Sequence, residues 1–233
     1  MVNQPVEPMG PAEVGESRST FVAKTYLWMF LGLLTTFIAS MVTIESGVFY
    51  LVFTTPAIFY ALLIVEVALV WILAGRLQKM SVGAATAMFF VYALVNGITL
   101  SSIFFLYELE SVSLIFVGAA IIYGIMSLFG FVTKSDLSGI GKVLIFGIFG
   151  LALFWLLSLF FDLTQLEMAV SFIGLALFLG ITAYDTQKMK HFYVAYQNDA
   201  AMLKKASIYS ALQLYLDFIN VFLYLLRLLG KRK

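Results

Sequence analysis

Seven apolar stretches, each long enough to cross a bilayer, take up most of this 233-residue chain. They run over 21–44, 53–75, 84–107, 112–133, 142–161, 168–184 and 207–229. About 20 apolar residues in a helix span the hydrocarbon core, so each stretch reads as one crossing. Charged residues are only 12% of the chain, about half the ~25% of an ordinary soluble domain, too few to coat a water-soluble globule. The expected fold is all-α, a multi-pass membrane protein whose seven-helix domain covers 21–229. Pro56 is expected to open the second helix, where a missing N–H costs nothing.

The flanks follow from the same reading. Residues 1–20 carry Pro5, Pro8, Pro11 and three glutamates but no apolar core. They are expected to form a disordered tail rather than a cleavable signal. Residues 230–233 form a short basic tail. With no cysteine, thiolate metal sites, disulfides and thiol redox chemistry are excluded.

Charge placement sets the expected direction. Arg18, Lys24, Arg76, Lys79, Lys134, Lys142, Lys188, Lys190, Lys204 and Lys205 fall on alternate loops, which therefore belong on one side. The opposite loops hold Glu45, Glu108, Glu110, Asp162 and Glu167 and no basic residue. The positive-inside rule then places the N-terminus in the cytoplasm. Arg227, Lys231, Arg232 and Lys233 disagree, because they follow the seventh stretch. Either the earlier loops outvote them or the last segment is re-entrant; seven full spans are favoured.

Acids at bilayer depth are the chemical signal. An intramembrane carboxylate costs about 2.5–3.5 kcal/mol on insertion scales and is a functional hypothesis by default. Asp185 closes the sixth stretch, in Ala183-Tyr184-Asp185-Thr186-Gln187. Asp217 lies inside the seventh, in Leu214-Tyr215-Leu216-Asp217-Phe218-Ile219-Asn220. The two can meet only if the sixth helix continues past Tyr184 or the seventh begins late. A pair that meets would titrate as one unit in two steps, a proton switch. The competing reading of Asp185 is an interfacial residue paired with Lys188 on the same helix face. For Asp217 that reading is weaker, since no basic residue lies near it on its own helix.

Glu66, mid-span in the second stretch, reads equally well as a structural hydrogen-bonding group and as a functional acid. Arg76, ending that stretch, is either a topology anchor that snorkels to headgroups or a partner for a carboxylate. Asn96, Thr99, Ser101 and Ser102 fit helix-packing roles. His191 is expected in an exposed loop.

Enzyme chemistry finds little support. No histidine lies in a span to activate a serine, the last span offers no Schiff-base lysine, and no phosphate-binding Gly-Lys-Ser/Thr loop is present. No tightly bound cofactor and no nucleic-acid partner are expected. Ion chemistry remains. Calcium takes about 6–8 oxygen ligands, so two aspartates alone would hold it weakly. Thr182, Thr186, Asn220, water and backbone carbonyls are candidates to complete the shell, and protons would compete for the same oxygens.

These residues resemble the Bax inhibitor family in its bacterial branch, over about 21–229. The two acid-bearing motifs carry the resemblance. Lys24-Thr25-Tyr26, Asn96-Gly97-Ile98-Thr99-Leu100 and Thr133-Lys134-Ser135-Asp136-Leu137 add to it. The resemblance implies a bundle with the last helix at its centre and a proton-sensitive calcium leak with Asp185 and Asp217 as the sensor. It also implies a basic latch at the end of the second span. Counted without gaps, that position falls on Leu77, one residue past Arg76, which leaves Arg76 as the latch and Lys79 in reserve. Glu66 matches an acid that the family carries. The expected activity is a passive, pH-gated calcium leak, with the bilayer, calcium and protons as partners. Two alternatives stand beside it: a proton-coupled transporter, and a non-transporting modulator of a membrane-anchored protease.

Overall fold

The computed structural model describes residues 16–76 and 79–233. Among them the chain forms α1 (Arg18–Glu45), α2 (Val48–Thr54), α3 (Pro56–Arg76), α4 (Val82–Leu106), α5 (Leu109–Val132), α6 (Ser138–Leu157), α7 (Glu167–Tyr196) and α8 (Ala200–Leu229). All but the short α2 are long and apolar enough to cross a membrane. Pro56 opens α3 as expected. It also holds the preceding Thr55 in extended backbone, which separates α2 from α3. α1 starts earlier than the apolar border: Ser17 accepts from the Thr20 amide at 3.2 Å, so 18–20 belong to the helix. The remainder of the expected tail, 1–15, lies outside the described residues.

α8 is the centre of the bundle. It packs against α7, α1, α5 and α4, while α3 and α6 stay at the periphery. The order follows from side-chain size and polarity. α1 and α4 approach closely at Gly97, where an added Cβ would lie 2.5 Å from the Thr36 carbonyl oxygen. Ser40 donates across that seam to the Gly97 carbonyl at 2.6 Å. α5 and α7 approach in the same way at Gly130, whose Cβ would strike the Ala183 backbone. Small residues and hydroxyls at helix seams are what association within lipid requires, because lipid tails are as apolar as leucine.

The chain termini settle the path of α8. Its C-terminal residues reach the α4–α5 turn: Lys231 pairs with Glu108 at 3.2 Å and the Lys233 amide donates to the Leu106 carbonyl at 3.1 Å. α8 therefore crosses the whole bundle, and the re-entrant alternative falls. The basic tail that defied the charge rule is held by a carboxylate and by backbone carbonyls at that end.

The largest departure from expectation lies between the last two spans. The stretch from Lys188 to Lys205 is no linker, since α7 runs on to Tyr196 and α8 starts at Ala200. Asp199 caps α8, its carboxylate accepting from the Met202 amide at 2.9 Å. At 30 residues each, both helices reach about 45 Å, well beyond the ~30 Å hydrocarbon core. His191, expected in a loop, sits exposed on α7.

Candidate functional site

The extended hairpin brings the two aspartate helices into register. Measured from the helix ends at the turn, Asp185 and Gln213 stand about 17 and 20 Å along α7 and α8, and Asp217 one turn beyond Gln213. Side chains on a helix lean towards its N-terminus. On antiparallel helices the two carboxylates therefore lean towards each other. Asp185 is 8% exposed and Asp217 3%.

Gln213 is the link. Its amide nitrogen donates to both oxygens of Asp185, at 3.3 and 3.4 Å. Asp217 follows at i+4 on the same stripe of α8. Its Oδ2 is buried without a hydrogen-bond partner. On the other side of Asp185, Lys188 brings its ammonium to 3.9 Å. That ammonium also lies within 6 Å of the Tyr184, Phe192 and Tyr209 rings, at 5.8, 5.6 and 5.7 Å. A cation facing ring π-systems is held electrostatically, more so as water is removed. The result is a polar column between α7 and α8: ammonium, carboxylate, amide, carboxylate.

Neighbouring motif residues hold the column in place. Thr186 bonds Ser127 of α5 at 3.1 Å, and Ser127 bonds Tyr26 of α1. Thr25 bonds Ser207 at 3.0 Å. Gln187 clamps the α5–α6 turn, accepting from the Leu137 amide and donating to the Ser135 carbonyl, both at 2.8 Å. Tyr123 donates to the Leu214 carbonyl at 3.2 Å, beside Asp217. The segments that looked separate along the chain thus form one hydrogen-bonded frame around α7 and α8.

The other candidate residues are placed elsewhere. Glu66 accepts from Thr99 at 2.6 Å and from Asn96 at 3.3 Å. Asn96 accepts from the Tyr215 hydroxyl at 2.8 Å, and that hydroxyl meets Thr36 at 2.6 Å. This chain of bonds ties α3, α4, α8 and α1 together. Asn220 donates its amide to the Leu216 carbonyl of its own helix at 2.8 Å, and Thr182 likewise bonds back to Phe178 at 2.7 Å. Arg76 ends α3 exposed, without an ion pair to either aspartate among the described residues, and Lys79 is exposed beyond it. Leu77 lies outside the described residues.

The Asp185–Lys188 pair weighed as the competing reading is present, at 3.9 Å, whereas Gln213 was not singled out in the sequence. Gln213 stands one turn before Asp217, and that i, i+4 spacing was the available signal. Two carboxylates flank one amide in this column. No group of three or more His, Cys, Asp or Glu side chains that could hold a metal forms among the described residues.

Comparison with known proteins identifies the family. Residues 18–233 match the family described as Inhibitor of apoptosis-promoting Bax1. The chain belongs to the Bax inhibitor family. It is 43% identical to the inner membrane protein YbhL of Escherichia coli K12, over 92% of each chain. An uncharacterized protein of Borreliella burgdorferi is 36% identical over 93% of this chain and 94% of its own. An uncharacterized protein of Rickettsia prowazekii is 36% identical over 94% and 92%. Its seven helices long and apolar enough to cross a membrane, together with this family membership, make it an all-α multi-pass membrane protein in contact with the lipid bilayer.

Proposed function

We propose that the protein is a pH-sensitive passive calcium leak of the plasma (inner) membrane, its N-terminus cytoplasmic, with Asp185 and Asp217 as the proton-sensitive pair. The observation that carries the reading is the unpartnered, buried carboxylate oxygen of Asp217 on the central helix, one turn from the amide that holds Asp185. A buried polar group without a partner is costly, and such a group asks for a proton, a cation or water.

With both carboxylates charged, the Lys188 ammonium holds the near end of the column shut through Asp185. Protonation of the pair discharges it and releases the lysine, so flux rises as pH falls. Calcium, the passing ion, meets two carboxylates and too few further oxygens for a tight site, which suits passage rather than storage. Arg76 would serve as a second closing cation in a conformation that brings α3 to the column; Arg76→Gln tests that role separately. Thr186 and Asn220 would join the ion's shell only by giving up their present bonds.

The test is calcium influx into liposomes holding the purified protein, across a pH series. Parent protein should show influx that rises with acidity, and Asp185→Asn and Asp217→Asn should lose that dependence. Absence of flux at every pH in folded protein would overturn the reading.

A further inference from the structure

A groove of about 1200 Å³ runs between α1 and α5, with α4 and α8 as its floor. That exceeds the ~300–1,000 Å³ of an ordinary small-molecule site. One wall follows α5 from Leu109 to Phe131, about 33 Å, the whole depth of the hydrocarbon core. The lining is overwhelmingly apolar, and its polar groups are already satisfied. Tyr26 bonds Ser127, Tyr123 donates to Leu214, Ser113 to Leu109 at 2.9 Å, and Ser40 to Gly97. Such a groove asks its occupant for hydrocarbon and offers no hydrogen bonds.

Its mouth at the N-terminal end of α1 has the opposite character. Arg18 heads the α1 stripe that continues through Val22 and Tyr26 into the groove. Its guanidinium lies 5.2 Å from the centre of the Phe131 ring, which ends the α5 wall. Lys190 of α7 reaches the same ring at 5.6 Å and donates to the Phe131 carbonyl at 2.7 Å. Neither has a carboxylate partner among the described residues, whereas nearby Lys24 is paired with Glu16 at 2.9 Å. Two cations gathered on one ring repel each other and favour an anion between them. Guanidinium and ammonium groups together are suited to phosphate, and basic pockets between membrane helices bind anionic headgroups.

We infer that this groove is a binding site for an anionic phospholipid from the leaflet at the α1 N-terminus. The phosphate sits between Arg18 and Lys190, and an acyl chain lies along Val22, Tyr26, Leu128 and Gly124. A partner's transmembrane helix would fill the groove but has no use for the paired cations. The site stands independently of the flux reading.

Native mass spectrometry of the full chain, with phosphatidylglycerol or phosphatidylcholine added, tests it. The expected result is one phosphatidylglycerol retained per chain, at least about tenfold in preference to the neutral lipid, a difference of about 1.4 kcal/mol. Arg18→Gln combined with Lys190→Gln should remove the preference, and Lys142→Gln, a basic change on α6, should keep it. A Cβ at Gly124 meets nothing within 4 Å. Gly124→Phe should therefore fill the groove without disturbing the bundle and abolish retention. Equal retention of both lipids by the parent, undiminished preference in the double variant, or a co-purified polypeptide displaced by Gly124→Phe would each overturn the proposal.

Discussion

Two sets of acids lie at bilayer depth in this bundle, and they are treated in opposite ways. Glu66 is enclosed by donors: Thr99 and Asn96 reach it, and Tyr215 and Thr36 complete the chain behind them. Asp185 receives one long, shared amide and a distant ammonium, and Asp217 keeps an oxygen with no partner. A fully satisfied buried network rigidifies a core, while a partly satisfied one is high in energy. The first arrangement is helix glue. The second is what a proton- or cation-binding element needs, because a site that satisfies itself has nothing left to bind with.

Exchanging charge for amide at each acid should separate the two arrangements most strongly. Asp217→Asn should abolish the pH dependence of flux, while Glu66→Gln should leave the profile in place, both read in liposomes. If the two variants behaved alike, the distinction would fail. Next in size is Tyr215→Phe, which removes the donor to Asn96. Leaving a buried group unsatisfied costs about 1–3 kcal/mol, so thermal unfolding in detergent should show a clear loss of stability with the pH profile unchanged.

Lys188→Gln comes third. Its ammonium is partly exposed and 3.9 Å from Asp185, and such pairs are worth about 0.2–1 kcal/mol. Flux at neutral pH should therefore rise by less than about fivefold. The smallest effect belongs to Asp136, outside the spans. The Ser138 side chain and amide hold its carboxyl below the usual aspartate range. A depressed folded-state pKa contributes stability above the unfolded value and loses it as pH falls through the folded one. Asp136→Ala should thus lower the melting temperature slightly at pH 7. The difference should shrink as pH falls below about 4, the ordinary aspartate range, and be gone once pH is below the depressed folded-state value.

Much of the architecture was legible in the chain. Seven crossings, Pro56 as a helix start and Asp185 and Asp217 as the intramembrane acids of adjacent helices all follow from apolar length and misplaced charge. The register of the acids was not. Apolarity ends at Tyr184 and resumes at Ser207, but the helices do not, because their backbone bonds persist in water once Asp199 caps the second of them. Hydropathy marks where a helix leaves lipid, not where it ends. For the same reason His191 reads as a loop residue although it lies on α7. Gln213 escaped notice because one amide among apolar neighbours carries no charge signal, although its position one turn before Asp217 was visible. The C-terminal residues confused the charge rule because the rule counts cations without seeing Glu108, which holds one of them.

The most direct test of the central claim is the pH dependence of calcium influx in Asp217→Asn measured beside Glu66→Gln in the same liposome preparation. A flat profile is expected in the first and a parental profile in the second. A parental profile in Asp217→Asn would contradict this, by showing that the carboxylate with an unpartnered oxygen at the centre of the bundle is not what senses protons.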